Sequence, residues 1–299
     1  MNQVVTTNAY TATIRAVLEV SQPVDAATVL LLRPCLEGGF ELFMVRRHAK
    51  SKFMAGAYVY PGGKVDSRDC HDDLESICHG LSAAQAAEIL GGDIEPQRAL
   101  GHFVAAIRET FEEAGVLLAT DSNGHMVTLA PDCINAYRSA LQKGETSMSE
   151  VMHALDLKLD LGRLRYFSHW ITPPKEPRRF SARFFLCPVS KEQQAEFDAI
   201  ETTDGLWLTP GQALERYRGR QFQSAPPTLR LLEQMVAFSS VDEALESAPH
   251  APVFPNAPYF ADDDGMMCLV LPGDPLHPTE SGDTKHRFEL RDGRWWSFF

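Results

Sequence analysis

The clearest signal in this chain is the stretch Arg108-Glu109-Thr110-Phe111-Glu112-Glu113-Ala114-Gly115-Val116. Around it, apolar side chains recur at steps of three and four residues, at Leu100, Phe103, Val104, Ile107, Phe111 and Ala114. That spacing gives one apolar face, so the sequence predicts a helix that begins near residues 93–96 and ends at Gly115. The three glutamates of the stretch are predicted to lie away from that face.

The spacing of these glutamates suggests a cation site. Side chains at positions i, i+3 and i+4 share one side of a helix, where like charges repel one another. Carboxylate oxygens on a rigid helix suit Mg²⁺ or Mn²⁺, and such a cation would offset the repulsion. The alternative is a solvated acidic helix end. Acidic groups at a helix C-terminus interact unfavourably with the helix dipole, however, so the position of this acidic cluster needs a functional explanation.

A second informative stretch precedes the helix, Pro61-Gly62-Gly63-Lys64-Val65-Asp66-Ser67-Arg68-Asp69. Paired glycines let the backbone turn sharply or pass close to a ligand, although an ordinary turn also uses them. Together the two stretches resemble the Nudix box. Asp69 stands where that box has its first glutamate, and Thr110 where it has an aliphatic residue. Residues 70–107 replace the usual seven-residue spacer, and a loop of this length is tolerated because closure entropy grows only logarithmically.

A box split in this way resembles the branch of the peroxisomal coenzyme A diphosphatases of the Nudix19 type. The resemblance spans residues 26–240 and is supported by the stretches 53–63, 170–174 and 178–185. It implies an α/β fold, the Nudix α/β/α sandwich with a mixed sheet between helices. We expect a Nudix domain at residues 25–240 with a helical insert at about residues 70–94 inside the box. Residues 1–24 would form an N-terminal segment, and residues 241–299 a C-terminal extension ending in a hairpin.

Local signals support this architecture. The apolar runs 26–32 and 40–45 flank Glu37-Gly38-Gly39, which predicts a β-hairpin, as does Asp292-Gly293 near the end of the chain. The capping box Ser82-Ala83-Ala84-Gln85 predicts a short surface helix within the insert. Further helices are predicted at 132–142, 148–155, 211–217 and 227–238, and strands at 57–60, 164–171, 180–189 and 204–208.

The resemblance also implies roles for particular residues. Glu112 and Glu113 would be the main metal ligands, and the Gly63 carbonyl would complete the metal site. Glu109 would bind metal too or help to activate water, and Arg108 would orient a carboxylate of the box. The family often takes one more carboxylate from a later loop. Glu201 is the first candidate for it and Asp204 the second, against the alternative that both are solvated loop acids.

Substrate contacts are predicted from two groups of basic residues. Before the box, Arg47, Lys52 and Gly56 keep the intervals of a coenzyme A motif, although Lys52 replaces an arginine and cannot form its bidentate contacts. A second group contains Lys175, Arg178, Arg179 and Arg183. One or both groups would hold the 3'-phosphate and diphosphate of the ligand. The alternative is that they are strand-edge charges that discourage aggregation.

The predicted reaction is metal-dependent hydrolysis of coenzyme A or acyl-coenzyme A to 3',5'-ADP and (acyl-)4'-phosphopantetheine. One rival is a diphosphatase for NADH, ADP-ribose or another nucleoside diphosphate compound. The other is a Nudix module that senses a nucleotide without cutting it. The complete glutamate set argues against this second rival, because binding alone does not need all three side chains.

Composition limits the partners. The formal net charge is -12, which makes the chain a poor binder of nucleic acid or of an anionic membrane, so we expect a small-molecule nucleotide as the partner. No apolar run is long enough to span a bilayer, and the six cysteines are scattered, which predicts a reducing, cytoplasmic location. The aromatic end at 295–299 is expected to pack onto the domain, with a homodimer contact as the alternative.

Overall fold

The computed structural model describes residues 21–299 except 37, 52–53, 72, 191–192, 194, 199–200 and 250–252. Its strands are β1 (Val24–Pro34), β2 (Phe40–Arg47), β3 (Tyr58–Val59), β4 (Gly62–Lys64), β5 (Cys78–His79), β6 (Ala119–Thr120), β7 (Lys158–Asp160), β8 (Arg165–Ile171), β9 (Phe180–Pro188), β10 (Thr202–Leu208), β11 (Tyr259–Asp263), β12 (Met266–Val270), β13 (Arg287–Arg291) and β14 (Arg294–Phe298). Its α-helices are α1 (Ala83–Leu90), α2 (Pro96–Ala114), α3 (Pro131–Gln142), α4 (Met148–Leu155), α5 (Pro210–Arg218), α6 (Pro226–Met235) and α7 (Val241–Glu246).

The central sheet is mixed, as predicted. Its order is β10-β2-β1-β9-β8, with β3 added to β2 and β4 added to β1. Strands β1 and β9 run parallel, whereas the other pairs are antiparallel. The predicted hairpin around Gly38-Gly39 is present as β1 and β2, which pair from Leu32 with Leu42 to Pro34 with Phe40.

Both faces of this sheet are covered. Alternate side chains of a strand point to opposite faces, and in β1 Val29 and Leu31 pack toward α2 while Leu30 and Leu32 pack toward α5 and α6. The sheet therefore lies between two layers of helices, which confirms the predicted α/β/α sandwich. Among the described residues, no helix combines the length and the apolar character needed to cross a bilayer.

The helix α2 has the predicted bounds. Glu95 caps its start by accepting a hydrogen bond from the Arg98 backbone N–H, and Gly115 ends it with a φ of 69°. The helix predicted in the insert is present as α1 with its capping box, but it is more than a surface helix. Ala83, Ala86 and Leu90 are buried in the same core as α2, so the insert adds to the core beside the box.

The C-terminal extension packs into the core on the opposite face of the sheet. Its strands form a separate sheet, β11-β12-β13-β14, and the predicted terminal hairpin is β13 and β14. Leu269, Leu271 and Phe288 of the extension are buried in one cluster with the side chains of α5 and α6. Trp295 packs against that cluster, and its carbonyl accepts a 2.8 Å hydrogen bond from the Tyr217 hydroxyl. The aromatic end thus packs onto the domain, as expected.

Candidate functional site

The two halves of the split box are joined by one buried ion pair. Arg108 donates from Nε to Asp69 Oδ1 at 2.9 Å and from Nη2 to Asp69 Oδ2 at 2.9 Å. Asp69 lies at the end of a 3-10 turn, where its side chain also accepts from the Asp66 backbone N–H at 2.8 Å. The carboxylate is 2% exposed. Asp69 therefore anchors the box across the insert, as the position of the missing glutamate implies.

Arg108 also contacts two of the three glutamates. Its Nη1 donates to Glu109 Oε1 at 2.9 Å and to Glu112 Oε1 at 3.1 Å. Nη2 reaches the Lys64 carbonyl at 2.8 Å. One guanidinium thus contacts three carboxylates and one backbone carbonyl.

The paired glycines approach the helix closely. The Gly62 backbone N–H donates to Glu113 Oε2 at 3.0 Å. A Cβ on Gly63 would stand 2.4 Å from Glu109 Oε1, so only glycine leaves room for this carboxylate. Glu113, which the helical spacing places away from the apolar face, is nevertheless buried, with 4% of its surface exposed. Its side chain turns inward because the Gly62 amide supplies a partner there. We call this set of side chains and glycines the carboxylate site.

The environment of the carboxylate site disfavours negative charge. Burial raises the pKa of Glu113 well above its usual range, and the charge of Glu109 raises it further. Burial also raises the pKa of Glu109 and of Glu112, although Arg108 opposes both shifts. A single arginine is therefore too little positive charge for the carboxylates around it.

The donor chemistry of the carboxylate site fits a divalent cation. Among the described residues, three potential ligand atoms lie within 4.8 Å of one another only at Asp263, Cys268 and Glu289, in the C-terminal sheet. There Arg287 pairs with Asp263, and Lys285 and Arg291 pair with Glu289. Those charges are compensated, whereas the carboxylates around Arg108 are not. Hard oxygen donors with surplus negative charge are what Mg²⁺ and Mn²⁺ bind, so the box glutamates suit such an ion.

Glu201, the first candidate for the additional carboxylate, is exposed. It directly precedes β10, and its carbonyl accepts a 2.9 Å hydrogen bond from the His48 backbone N–H. Its negative charge contributes to raising the pKa of Glu112 and of Glu113, after burial and nearer charges. The charge of Glu201 therefore acts at the box glutamates. Asp204, the second candidate, instead accepts a hydrogen bond from the Tyr58 hydroxyl.

The first basic group begins at the end of β2, where Arg47 pairs with Thr202 of β10. Burial raises the pKa of Glu113, and the positive charge of Arg47 opposes that shift. Gly56 follows in a left-handed turn with a φ of 70°, and its carbonyl accepts a 3.4 Å hydrogen bond from Arg46 Nε. Lys52 lies outside the described residues.

The second basic group is not one cluster. Arg183 is buried, with Nη1 3.0 Å from His102 Nε2 and 3.6 Å from Asp25 Oδ1. Arg179 donates to the Thr172 carbonyl, and Arg178 is exposed. The sequence-based idea that these arginines together hold substrate phosphates is therefore not what the structure shows for Arg183. That side chain points inward because the partly buried Asp25 carboxylate offers it a partner.

Two functional candidates were not predicted from the sequence. Arg138 and Gln142 of α3 donate to the Glu112 carbonyl, at 3.0 Å from Arg138 Nη2 and 3.3 Å from Gln142 Nε2. A polar residue in an amphipathic helix is normally solvated, so no local pattern marks these two. Only the three-dimensional contact of α3 with the end of α2 reveals them.

A glycine substitution tests how closely the box is packed. A Cβ on Gly62 would stand 2.6 Å from the Ala27 carbonyl and 2.6 Å from Thr28 Oγ1. We expect Gly62→Ala to force β4 away from β1 and to cost about 1–3 kcal/mol of unfolding free energy, measured in urea. Gly211→Ala in α5 is the control, because its Cβ would meet open space. Equal stability of the two variants would contradict the close packing.

Known proteins match both the sequence and the fold. A family model of the NUDT19 Nudix domain matches residues 93–235. The acyl-coenzyme A diphosphatase NUDT19 of Gallus gallus is 28% identical, over 86% of this chain and 80% of its own length. The Xenopus laevis protein of the same name is 25% identical, over 81% of this chain and 72% of its own length. A NUDIX hydrolase from Alicyclobacillus acidocaldarius superimposes with a TM-score of 0.65 at 28% identity, covering 78% of this chain and 99% of that chain. These matches agree with the split box and the sandwich: the chain is a Nudix hydrolase, and its sequence is similar to that of the NUDT19-like branch.

Proposed function

We propose that this enzyme hydrolyses the diphosphate of coenzyme A or acyl-coenzyme A in a reaction that depends on Mg²⁺ or Mn²⁺. The observation that carries the proposal is the carboxylate site, where Arg108 pairs with Asp69, Glu109 and Glu112 while a third glutamate, Glu113, is buried and bonded to a backbone amide. Nudix hydrolases generally use divalent metal ions. The names of the relatives, acyl-coenzyme A diphosphatases, support the substrate class.

The metal would be held by the carboxylates of Glu109, Glu112 and Glu113 and by the Gly63 carbonyl. When bound, it would neutralise the diphosphate and make the attacking water more acidic. Arg108 keeps two of these carboxylates in place, and Gly62 keeps the third. This explains how an acidic protein could accept an acidic substrate, since the cation supplies the missing positive charge.

The chain's own groups would do the remaining work. Water attacks one phosphorus of the diphosphate, a new P–O bond forms, and the bond to the bridging oxygen breaks. Glu201 is our candidate to take the proton from the attacking water, because its negative charge contributes, after burial, to the raised pKa values of Glu112 and Glu113. Arg47, whose positive charge opposes the raised pKa of the buried Glu113, is our candidate to bind a substrate phosphate, with Lys52 and Gly56 of the same motif. The products are 3',5'-ADP and (acyl-)4'-phosphopantetheine.

A substrate panel tests this function. Purified protein in Mg²⁺ or Mn²⁺ is given coenzyme A, its 3'-dephospho form, acetyl- and longer acyl-coenzyme A, NADH and ADP-ribose, and the products are separated by chromatography. We expect turnover of the coenzyme A compounds and its loss when the metal is chelated. Turnover of NADH or ADP-ribose alone would reject the coenzyme A assignment and keep the reaction type. Heat of ligand binding without any product would favour the sensing alternative.

A further inference from the structure

The end of helix α2 is held by a buried arginine that lies outside the box. Arg138 donates from Nε to the Glu112 carbonyl at 3.1 Å and from Nη2 to the same oxygen at 3.0 Å. Nη2 also donates to the Glu196 carbonyl at 3.1 Å. A Cβ on Gly115 would stand 3.1 Å from Arg138 Nη1, so the glycine that ends α2 also leaves room for this guanidinium.

One turn further along α3, Gln142 makes a second connection. Its Nε2 donates to the Glu112 carbonyl at 3.3 Å and to Asp198 Oδ2 at 2.9 Å. The loop reached in this way is also tied to α2 by its backbone, since the Glu196 N–H donates to the Ala114 carbonyl at 2.9 Å. Arg138 and Gln142 therefore both bind the C-terminal end of α2, which carries the glutamates proposed to bind metal. The same two side chains also bind the loop after β9.

Asp198 connects Gln142 to Glu201 through hydrogen bonds. Its carboxylate accepts from the Glu201 backbone N–H at 3.1 Å and, through Oδ1, from the Thr202 N–H at 2.9 Å and hydroxyl at 2.7 Å. Thr202 pairs with Arg47 in the sheet and is buried. Glu201 is thus held by Asp198 at its amide and by His48 at its carbonyl.

The charges of this network suit its position. The last carbonyls of a helix lack partners within the helix and carry a partial negative charge. Three glutamates in the last turns of α2 add to that charge, and a buried guanidinium at the carbonyls offsets it. A buried arginine that fixes two separate backbone segments also limits how far they can move relative to each other.

We propose that Arg138 and Gln142 are positioning residues that set the Glu201 carboxylate relative to Glu112 and Glu113. This inference rests on the proposed function, because Glu201 matters only if those glutamates form the reaction centre. Neither side chain needs to touch substrate or metal. Their effect would pass through Asp198, and a displacement of about 1 Å at a reacting group can cost on the order of 100-fold in rate.

A double-mutant cycle tests the inference. Gln142→Leu should lower kcat about 10-fold or more with KM unchanged, and it should have no further effect in a Glu201→Gln background, since the two changes remove the same contribution. Asn135→Leu is the control, because Asn135 is exposed on the same helix. Equal fold-losses for Gln142→Leu in both backgrounds would overturn the proposal, as would a wild-type kcat.

A metal titration gives a readout that does not depend on turnover. Mn²⁺ is titrated into each substrate-free protein and free Mn²⁺ is followed by electron paramagnetic resonance. We expect both Gln142→Leu and Glu201→Gln to weaken Mn²⁺ binding, because the first displaces and the second removes a negative charge that acts at Glu112 and Glu113. Asn135→Leu should bind as wild type does. Wild-type affinity in Gln142→Leu would overturn the inference. If the wild-type enzyme cleaves no compound of the panel, the proposed function fails, while this titration still tests the positioning.

Discussion

Replacing Glu113 by glutamine is expected to lower kcat on the best substrate by about 1000-fold or more. The two side chains have nearly the same shape, and a glutamine oxygen can still accept the hydrogen bond from the Gly62 amide. The change therefore removes a negative charge from the carboxylate site with little change in packing. Charge stabilisation by a metal is worth several kcal/mol, and each 1.36 kcal/mol corresponds to about tenfold in rate. Steady-state kinetics at saturating Mg²⁺ measure the loss.

The same substitution is expected to raise the melting temperature of the metal-free protein. Burial raises the pKa of Glu113 above its value in the unfolded chain, so its ionised form opposes folding. That penalty is absent below the unfolded pKa, near the ordinary value of 4.5, and grows as the pH rises. Glutamine carries no such penalty. Thermal melts of both proteins in chelator should coincide at acidic pH and separate toward neutral pH.

A matched control separates the site from charge in general. Glu88 lies exposed on α1, and Glu88→Gln should keep both wild-type kcat and the wild-type melting temperature at either pH. A Glu113→Gln enzyme with wild-type kcat would remove Glu113 from the metal-binding set. A variant that loses activity and also melts lower at neutral pH would show that Glu113 is needed for folding rather than kept for chemistry.

The elements that could be predicted from the sequence have strong local signals. The start of α2 is marked by an acidic cap and a proline, its end by Gly115, and its inner face by regular apolar spacing, so its bounds were predictable within a few residues. The first hairpin was predictable because two apolar runs flank glycines. The sheet β5-β7-β6 was not predicted, because strands of two or three residues are too short to show a period.

The side chains that were misjudged depend on contacts between distant segments. The helical pattern predicts an exposed side chain for Glu113. Its interior partner is the Gly62 amide, which lies on the separate strand β4. Arg183 reads as one of several basic residues, and only the pairing of β9 with β1 brings it beside Asp25. Arg138 and Gln142 have no signal in sequence. Periodicity predicts which face is apolar, but it does not identify the polar groups that find a buried partner.

Replacing Arg108 by methionine is expected to cause the largest loss of stability among these variants. Arg108 is largely buried, and it is the partner of an Asp69 carboxylate that is 2% exposed. Removal of one member of a buried pair leaves an uncompensated charge and costs about 3–5 kcal/mol. Here Glu109 and Glu112 would lose their shared partner as well. Urea unfolding in chelator at neutral pH measures the cost, and the loss of the bond to the Lys64 carbonyl adds to it.

Two further variants distinguish the ion pair from simple loss of packing. In Asp69→Asn/Arg108→Met the buried charge is removed together with its partner, so the double variant should lose less stability than the two single losses added together. Mg²⁺ should also raise the melting temperature of Arg108→Met more than that of the wild type, because a cation can compensate the glutamates that arginine no longer serves. Additive losses and an equal response to Mg²⁺ would mean that Arg108 stabilises the protein through its alkyl stem rather than through its charge.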